Sequence, residues 1–306
     1  MAVYEMVKSL QGLLQLALKL SPKKRVKKFI TSNRQFAIDS HLLGDPNVLA
    51  WSNLGIWPTP CPLNYSYVTA CQQLAHKIGC AVHLQPDDKL LDLGCGQGAS
   101  LQYWPAEFGI KHMSAFEIQA DCIARIKQAA LPQLDAIYQA SFSQLPLPSA
   151  QLQHAYDAVV CVDAAYHAPL ADFLAVNQAA LRAGGRIAFC TLIRPTHSFG
   201  SDHWAKTLMP YLLKLVAIPK QRLDSEIQVR ALLTHFDFTD IHIEHVDTEV
   251  LNGFAQYIQR QQLPLRSKHS AAWLKIRLTA QLCGFLYRHQ LAHYSIVSAK
   301  YKPNRL

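Results

Sequence analysis

Apolar side chains near the start of the chain include positions 6, 7, 10, 13, 14, 17, 18 and 20, a helical spacing that gives Met6 to Leu20 one broad apolar face. Ser21-Pro22 interrupts it, and the run from Lys23 to Ile30 opens a second piece that is basic and partly amphipathic. Tyr67 to Ile78 places Ala70, Leu74, Ala75 and Ile78 on one side, which predicts a helix stopped by Gly79. Short apolar runs then alternate with helical stretches. Strands are expected at 89–93, 112–117, 135–140, 156–162 and 185–192, with helices around 99–107, 119–130 and 168–182. A run as uniformly apolar as Ala158 to Val162 belongs to a strand buried on both faces, so the rhythm predicts a mostly parallel sheet with helices on either side. Beyond 192 the pattern changes. Residues 197–236 read as helical and rich in Leu, Phe238 to Val246 alternates as a strand, 249–290 reads as one long helical segment, and Tyr294 to Lys300 supplies a final strand.

These elements divide the chain into an N-terminal helical cap or lid with its basic segment (1–64), an α/β core (65–196), a helical insertion that extends the cap (197–237), and C-terminal strands with a long helical segment that complete the core (238–306). With 306 residues, 50% of them hydrophobic and 17% charged, the chain can build a sizeable core and is not of the disordered class. Its charge-free stretches, such as Leu278 to Tyr287, fall well short of the roughly 20 apolar residues that span a bilayer. The apolar run Leu10 to Leu20 carries Lys19 and no small-residue cleavage site follows it, so it reads as part of the mature protein. Eight cysteines without a CxxC pair are expected to be reduced, buried thiols of a cytoplasmic protein, and no metal site is expected.

The net charge of +9 is unevenly placed. Residues 1–34 carry +7 and residues 259–306 carry +9, which leaves −7 on the acidic middle of the chain. Basic ends of this kind suit an anionic surface, and peripheral membrane contact through them is the partner expected besides a small-molecule substrate; a solvated charged face is the plainer alternative. Oligomeric state is open at this level.

The chemistry concentrates after the first strand. Gly94-x-Gly96-x-Gly98 lies between an apolar strand and a helix, where missing side chains let the backbone approach a ligand and the helix start offers unpaired N–H groups. The spacing alone is ambiguous, since Gly94-x-Gly96-x-x-Ala99 also satisfies the dinucleotide fingerprint of an NAD(P)-dependent oxidoreductase. Glu117, at the end of the second strand, suits the hydroxyls of an adenosine ribose with either cofactor. Asp92 distinguishes them, because a carboxylate two residues before the first glycine orients the loop and meets a cationic amino-acid ligand but would repel a pyrophosphate.

Leu90-Leu-Asp-Leu-Gly-Cys-Gly-Gln-Gly98 resembles the first motif of class I S-adenosylmethionine-dependent methyltransferases, and Ala115-Phe-Glu117 resembles the second. The resemblance covers about residues 65–192 and implies a Rossmann-like, seven-stranded, mostly parallel sheet with one antiparallel strand, helices on both faces and a helical cap. It implies S-adenosyl-L-methionine as cofactor, held by Asp92, Gly94, Cys95, Gly96, Gly98, Glu117 and Ile118. Where the third motif usually carries an acid for the adenine amino group this chain has Ser141, with Phe142 placed to stack on the ring or to pack in the core. Asp163-Ala-Ala-Tyr166-His167-Ala-Pro169, after the fourth strand, is similar to a segment of sterol C-methyltransferases and related small-molecule enzymes. On that resemblance Asp163 serves both cofactor and catalysis, Tyr166 the substrate, and His167 either proton transfer or a hydrogen bond to Asp163 or the backbone. The Asn/Asp-Pro-Pro-Tyr/Phe motif of amino-methylating nucleic-acid enzymes is absent, so nucleic acid is not the expected partner, and an RNA-directed methyltransferase using the basic ends is the alternative. Upstream, Asn53-x-Gly55-x-Trp57 resembles a segment that small-molecule methyltransferases fold over the cofactor, with Tyr65 and Tyr67 at lid-like spacing; packing of an N-terminal cap is the competing reading. The resemblance therefore implies methyl transfer to a small, lipophilic metabolite or lipid, for which the cap offers Trp204, Leu208, Tyr211, Leu212, Leu215, Trp273, Leu282 and Phe285.

Overall fold

In the computed structural model, residues 38–196, 223–261 and 270–303 are described, together with Leu213. The helix expected at 6–20, the basic segment of residues 1–34 and the cap residues Trp204, Leu208, Tyr211, Leu212 and Leu215 lie outside them.

Seven strands form one sheet: β1 (Lys89–Leu93), β2 (His112–Glu117), β3 (Leu134–Gln139), β4 (Tyr156–Cys161), β5 (Leu181–Ile193), β6 (Phe238–His245) and β7 (His293–Tyr301). Their order is β3-β2-β1-β4-β5-β7-β6, and β7 runs antiparallel to both β5 and β6 while the other pairs are parallel. This is the Rossmann-like sheet with one antiparallel strand that the alternation and the resemblance implied. The helices are α1 (Tyr67–Ala81), α2 (Ala99–Phe108), α3 (Ala120–Ala129), α4 (Leu170–Ala180), α5 (Glu226–His235), α6 (Gly253–Arg260) and α7 (Ala271–Arg288). Alternate side chains of β1 feed two cores, because successive strand residues point to opposite faces. Leu90 joins α1, α2 and α7, whereas Leu91 and Leu93 join α4 and α5.

Three boundaries differ from the sequence pattern. Gly79 does not stop α1; it lies within the helix, and a Cβ there would come within 2.4 Å of the Phe108 ring, so the glycine makes room for α2 to pack. The helix expected at 168–182 ends at Ala180, because Leu181 is already extended (ψ 138°) and pairs with Tyr156, which gives β5 a start four residues earlier than its apolar run. The segment 249–290 is not one helix: a π-helical turn at Thr248–Asn252 leads into α6, and α7 is separate. All eight cysteines are free thiols, six of them buried. No described helix is long and apolar enough to cross a membrane.

The connection from β1 leads to one side of the sheet and the connection from β4 to the other. Open α/β sheets bind ligands at this switch point, outside the carboxyl ends of the strands. Both sequence-derived clusters, Gly94–Gly98 after β1 and Asp163–His167 after β4, lie there.

Candidate functional site

The glycine loop is stitched to β2 rather than left free. Gly94 and Cys95 donate their N–H groups to the Phe116 carbonyl at 2.8 and 3.2 Å, and Gly96 donates to Glu117 Oε2 at 2.9 Å. Glu117 Oε1 accepts the N–H groups of Ile118 and Gln119 at 2.9 and 2.8 Å. Burial pushes this carboxyl up from its ordinary range and those donors oppose the push. With a single donor, Oε2 keeps acceptor capacity for a hydroxyl, the chemistry a ribose requires. Gly94, Gly96 and Gly98 all take positive φ (77°, 57° and 91°), and a Cβ on Gly98 would come 2.7 Å from Ile126 Cγ1, so neither the turn nor the approach of α3 tolerates a side chain. The loop geometry and the Glu117 acceptor therefore fit an adenosine-bearing cofactor.

Asp92 is buried in β1, and its Oδ2 accepts Ser100 Oγ at 2.7 Å and Trp104 Nε1 at 2.8 Å, which ties the start of α2 to the strand. Burial raises it to about 6, against the pull of those two donors. The neighbouring Cys95 thiol is pushed well up, first by burial and then by Asp92 and Glu117.

Asp163, after β4, takes a left-handed backbone conformation (φ 60°), unusual for a residue with a side chain. Its Oδ1 accepts the hydroxyls of Tyr166 and Tyr294 at 2.6 Å each, and its Oδ2 accepts the Leu54 N–H at 2.7 Å. Burial lifts it to about 6 while the three donors hold it down. Sequence reasoning placed Tyr294 only as the first residue of a strand; nothing local marks it, since its partner is 131 positions away. Ala164 brings this turn against the loop, for a Cβ on Gly94 would meet Ala164 Cβ at 3.1 Å and the Phe142 ring at 3.0 Å. Phe142 also packs edge-on against Phe173, and Ser141 hydrogen-bonds Ser143 within its own turn. Ile118 is exposed beside Glu117. His167 ends the 3-10 turn Ala165–His167, its ring 4.7 Å from that of Tyr166.

Residues 45–57 form a strap over the loop. Asp45 fixes its start by accepting the N–H groups of Asn47 and Trp51. Ser52 Oγ lies 3.0 Å from where a Gly96 Cβ would stand, and Leu49 reaches the Gly98 side. Asn53 Oδ1 accepts the Gly55 N–H, and the Asn53 carbonyl accepts the Tyr67 hydroxyl at 2.7 Å, so Asn53 and Tyr67 clamp the strap to α1. Trp57 is completely buried, stacked on Tyr257 at 4.1 Å with Tyr65 edge-on at 6.0 Å. Asn53, Tyr65 and Tyr67 thus surround a packed aromatic anchor, and Trp57 itself belongs to the core. Trp273, Leu282 and Phe285 are buried in that same core.

Residues 91–189 match the model of the methyltransferase domain family, which settles the choice that the glycine spacing left open. No curated protein matches the sequence. Among solved structures, the chain is similar to the cyclopropane synthase MmaA2 from Mycobacterium tuberculosis (TM-score 0.65, 17% identity, covering 86% of this chain and 94% of that one). It is also similar to geranyl diphosphate C-methyltransferase from Streptomyces coelicolor A3(2) (0.63, 16%, 92% and 98%) and to the [4+2]-cyclase SpnF (0.62, 16%, 92% and 95%). At such identities these likenesses show the fold. Residues 91–189 thus form a methyltransferase domain set in that fold, and the enzyme is a methyltransferase that uses S-adenosyl-L-methionine as its cofactor.

Proposed function

We propose that the enzyme methylates a small, lipophilic metabolite or lipid at the junction of the glycine loop, the strap and the Asp163 turn. The observation that carries this reading is the meeting, at one switch point, of a loop shaped for the cofactor and a carboxylate held by two phenols and the strap. In the proposed complex Glu117 accepts the ribose hydroxyls, the Gly94–Gly98 backbone lies against the amino-acid portion, and Ile118, Ser141 and Phe142 border the adenine. When bound, the cofactor supplies an electrophilic methyl group whose bonding pair leaves with sulfur as the acceptor's own pair forms the new bond. The protein's task is then positioning, exclusion of water and removal of one proton. Asp163 takes that proton onto its carboxylate, and His167, beside Tyr166, passes it outward.

A lipophilic substrate accords with the surroundings of Asp163, where Tyr166, Tyr294, Cys190 and Cys283 are its neighbours. It also accords with the similarity to a methyltransferase that takes geranyl diphosphate. The basic ends of the chain then serve as contacts to an anionic membrane surface from which such a substrate is drawn.

Scanning calorimetry tests the cofactor assignment: S-adenosylhomocysteine should raise the unfolding temperature, NAD should not, and Gly96→Arg and Glu117→Ala should lose the shift. An unchanged shift in both variants would refute the assigned site. Profiling metabolites with an isotopically labelled methyl donor, in cells with and without the protein, identifies the acceptor, and a hydrophilic product would overturn the lipophilic part. Flotation with anionic liposomes, comparing the full chain with one lacking residues 1–34, tests the membrane contact; equal flotation or none counts against that segment.

A further inference from the structure

We propose that Tyr294 is a positioning residue of the methyl-transfer site: its hydroxyl, together with that of Tyr166, fixes the Asp163 carboxylate in ionised form at the junction of loop and strap. The inference rests on the reading of Asp163 as the proton acceptor. The two phenols bond the same oxygen at 2.6 Å, the length of charge-assisted O–H···O⁻ bonds. They are not equivalent supports. Tyr166 lies three residues along in the same turn and would travel with Asp163. Tyr294 is wholly buried at the start of β7, paired with Leu192 of β5. Its N–H is donated to Asp247 Oδ1 at 2.6 Å and its carbonyl accepts the Val246 N–H at 2.9 Å. Tyr294 is therefore the donor that references the carboxylate to the sheet, while Leu54 N–H references the strap to the carboxylate.

The charge state follows from the same contacts. The described groups that interact with Asp163 from the packed elements are Tyr67 and Cys71 on α1, Cys161 on β4, Tyr166, Cys190 on β5, Cys283 on α7 and Tyr294. All are weak acids pushed further up by burial, so they are neutral near pH 7. Burial pushes the carboxyl towards its protonated form, and the hydrogen-bond donors are what oppose it. A protonated Asp163 cannot accept a proton from the substrate.

The test is a pH titration of the full-length protein labelled with [13Cγ]-aspartate, with the Asp163 carboxyl resonance assigned by its loss in Asp163→Asn. Tyr294→Phe should move the midpoint upward by about one pH unit, the worth of one hydrogen bond to a charged group. An unmoved midpoint in a folded Tyr294→Phe protein overturns the inference. Should that variant not fold, 3-fluorotyrosine can replace tyrosine throughout a Tyr166→Phe protein. The remaining phenol on Asp163 is then more acidic and should lower the midpoint; no lowering overturns the inference equally. Labelled-methyl incorporation separates this from the underlying reading. Undiminished incorporation by Asp163→Asn sinks the role of Asp163 and with it that of Tyr294. Lost incorporation there, with no midpoint shift in Tyr294→Phe, sinks the inference alone.

Discussion

Two carboxylates flank the switch point and share one physical predicament, yet they are built in different ways. Asp92 and Asp163 are both lifted by burial to about 6, and both are opposed by side-chain donors. The donors to Asp92 are 8 and 12 residues away, inside the same strand–loop–helix unit. Those to Asp163 include the strap, 109 residues away, and β7, 131 away. One carboxylate completes a local turn; the other joins three distant parts of the chain. The difference teaches that a buried charge can serve to shape a loop or to join a cap to the sheet, and that its partners reveal which.

Replacement by alanine should separate the two most strongly. Asp92→Ala strands the Ser100 hydroxyl and the Trp104 N–H in a buried site and should cost about 3 kcal/mol of stability in chemical denaturation. Asp163 is half-buried, as is Tyr166 among its donors, but the Tyr294 hydroxyl and the Leu54 N–H are buried, so Asp163→Ala should cost somewhat less, about 2 kcal/mol. Its larger effect should be on the strap, where amide hydrogen exchange at Leu54 accelerates at least tenfold, the loss of about 1.4 kcal/mol of local protection. Equal stability losses with unaltered exchange at Leu54 would abolish the distinction.

Proton linkage provides a second, smaller contrast. Each carboxyl binds its proton more tightly in the folded chain than at the ordinary value of 3.8. Between about pH 4 and 6 the folded state therefore holds more protons than the unfolded one, and stability falls as pH rises through that window. The asparagine variants remove this slope one site at a time. Asp92→Asn, which keeps an acceptor for Ser100 and Trp104, should gain on the natural chain as pH rises from 4 to 6, by up to about 3 kcal/mol at neutral pH. Asp163→Asn should gain less, because that site is partly open to solvent. Melting temperatures across the window decide it, and parallel curves for Asp92→Asn and the natural chain would refute the sign.

The same division of local from distant explains what the sequence made legible. The alternation of strands and helices, the glycine loop and Glu117 depend on neighbours within about twenty residues, and each emerged from spacing. The strap's roles did not. Asn53-x-Gly55-x-Trp57 reads both as a cover for the cofactor and as cap packing, because whether an aromatic faces a ligand or a core depends on what meets it, and Trp57 meets Tyr257. Gly79 has the residue type of a helix stop, while the requirement it satisfies comes from Phe108 on another helix. Tyr294 is one of twelve tyrosines, and only the pairing of β5 with β7 brings it to Asp163.

The finest test removes one hydroxyl from each carboxylate. Ser100→Ala and Tyr166→Phe each delete a single donor, at 2.7 and 2.6 Å, so the loss at the two sites is chemically alike. Each should cost about 1 kcal/mol and raise the affected carboxyl, since a donor to the charged form holds its pKa down. The consequences should diverge. Ser100→Ala weakens a contact inside one loop, so labelled-methyl transfer near neutral pH should keep its acid limb where it is. Tyr166→Phe acts on the proposed proton acceptor, so the acid limb should move to higher pH, with activity at pH 8 retained. A shift of the acid limb in Ser100→Ala equal to that in Tyr166→Phe would mean that Asp92, and not Asp163 alone, takes part in the proton balance of the reaction. The separation of the two carboxylates into a shaping one and a joining one would then fail at the level of function while surviving at the level of structure.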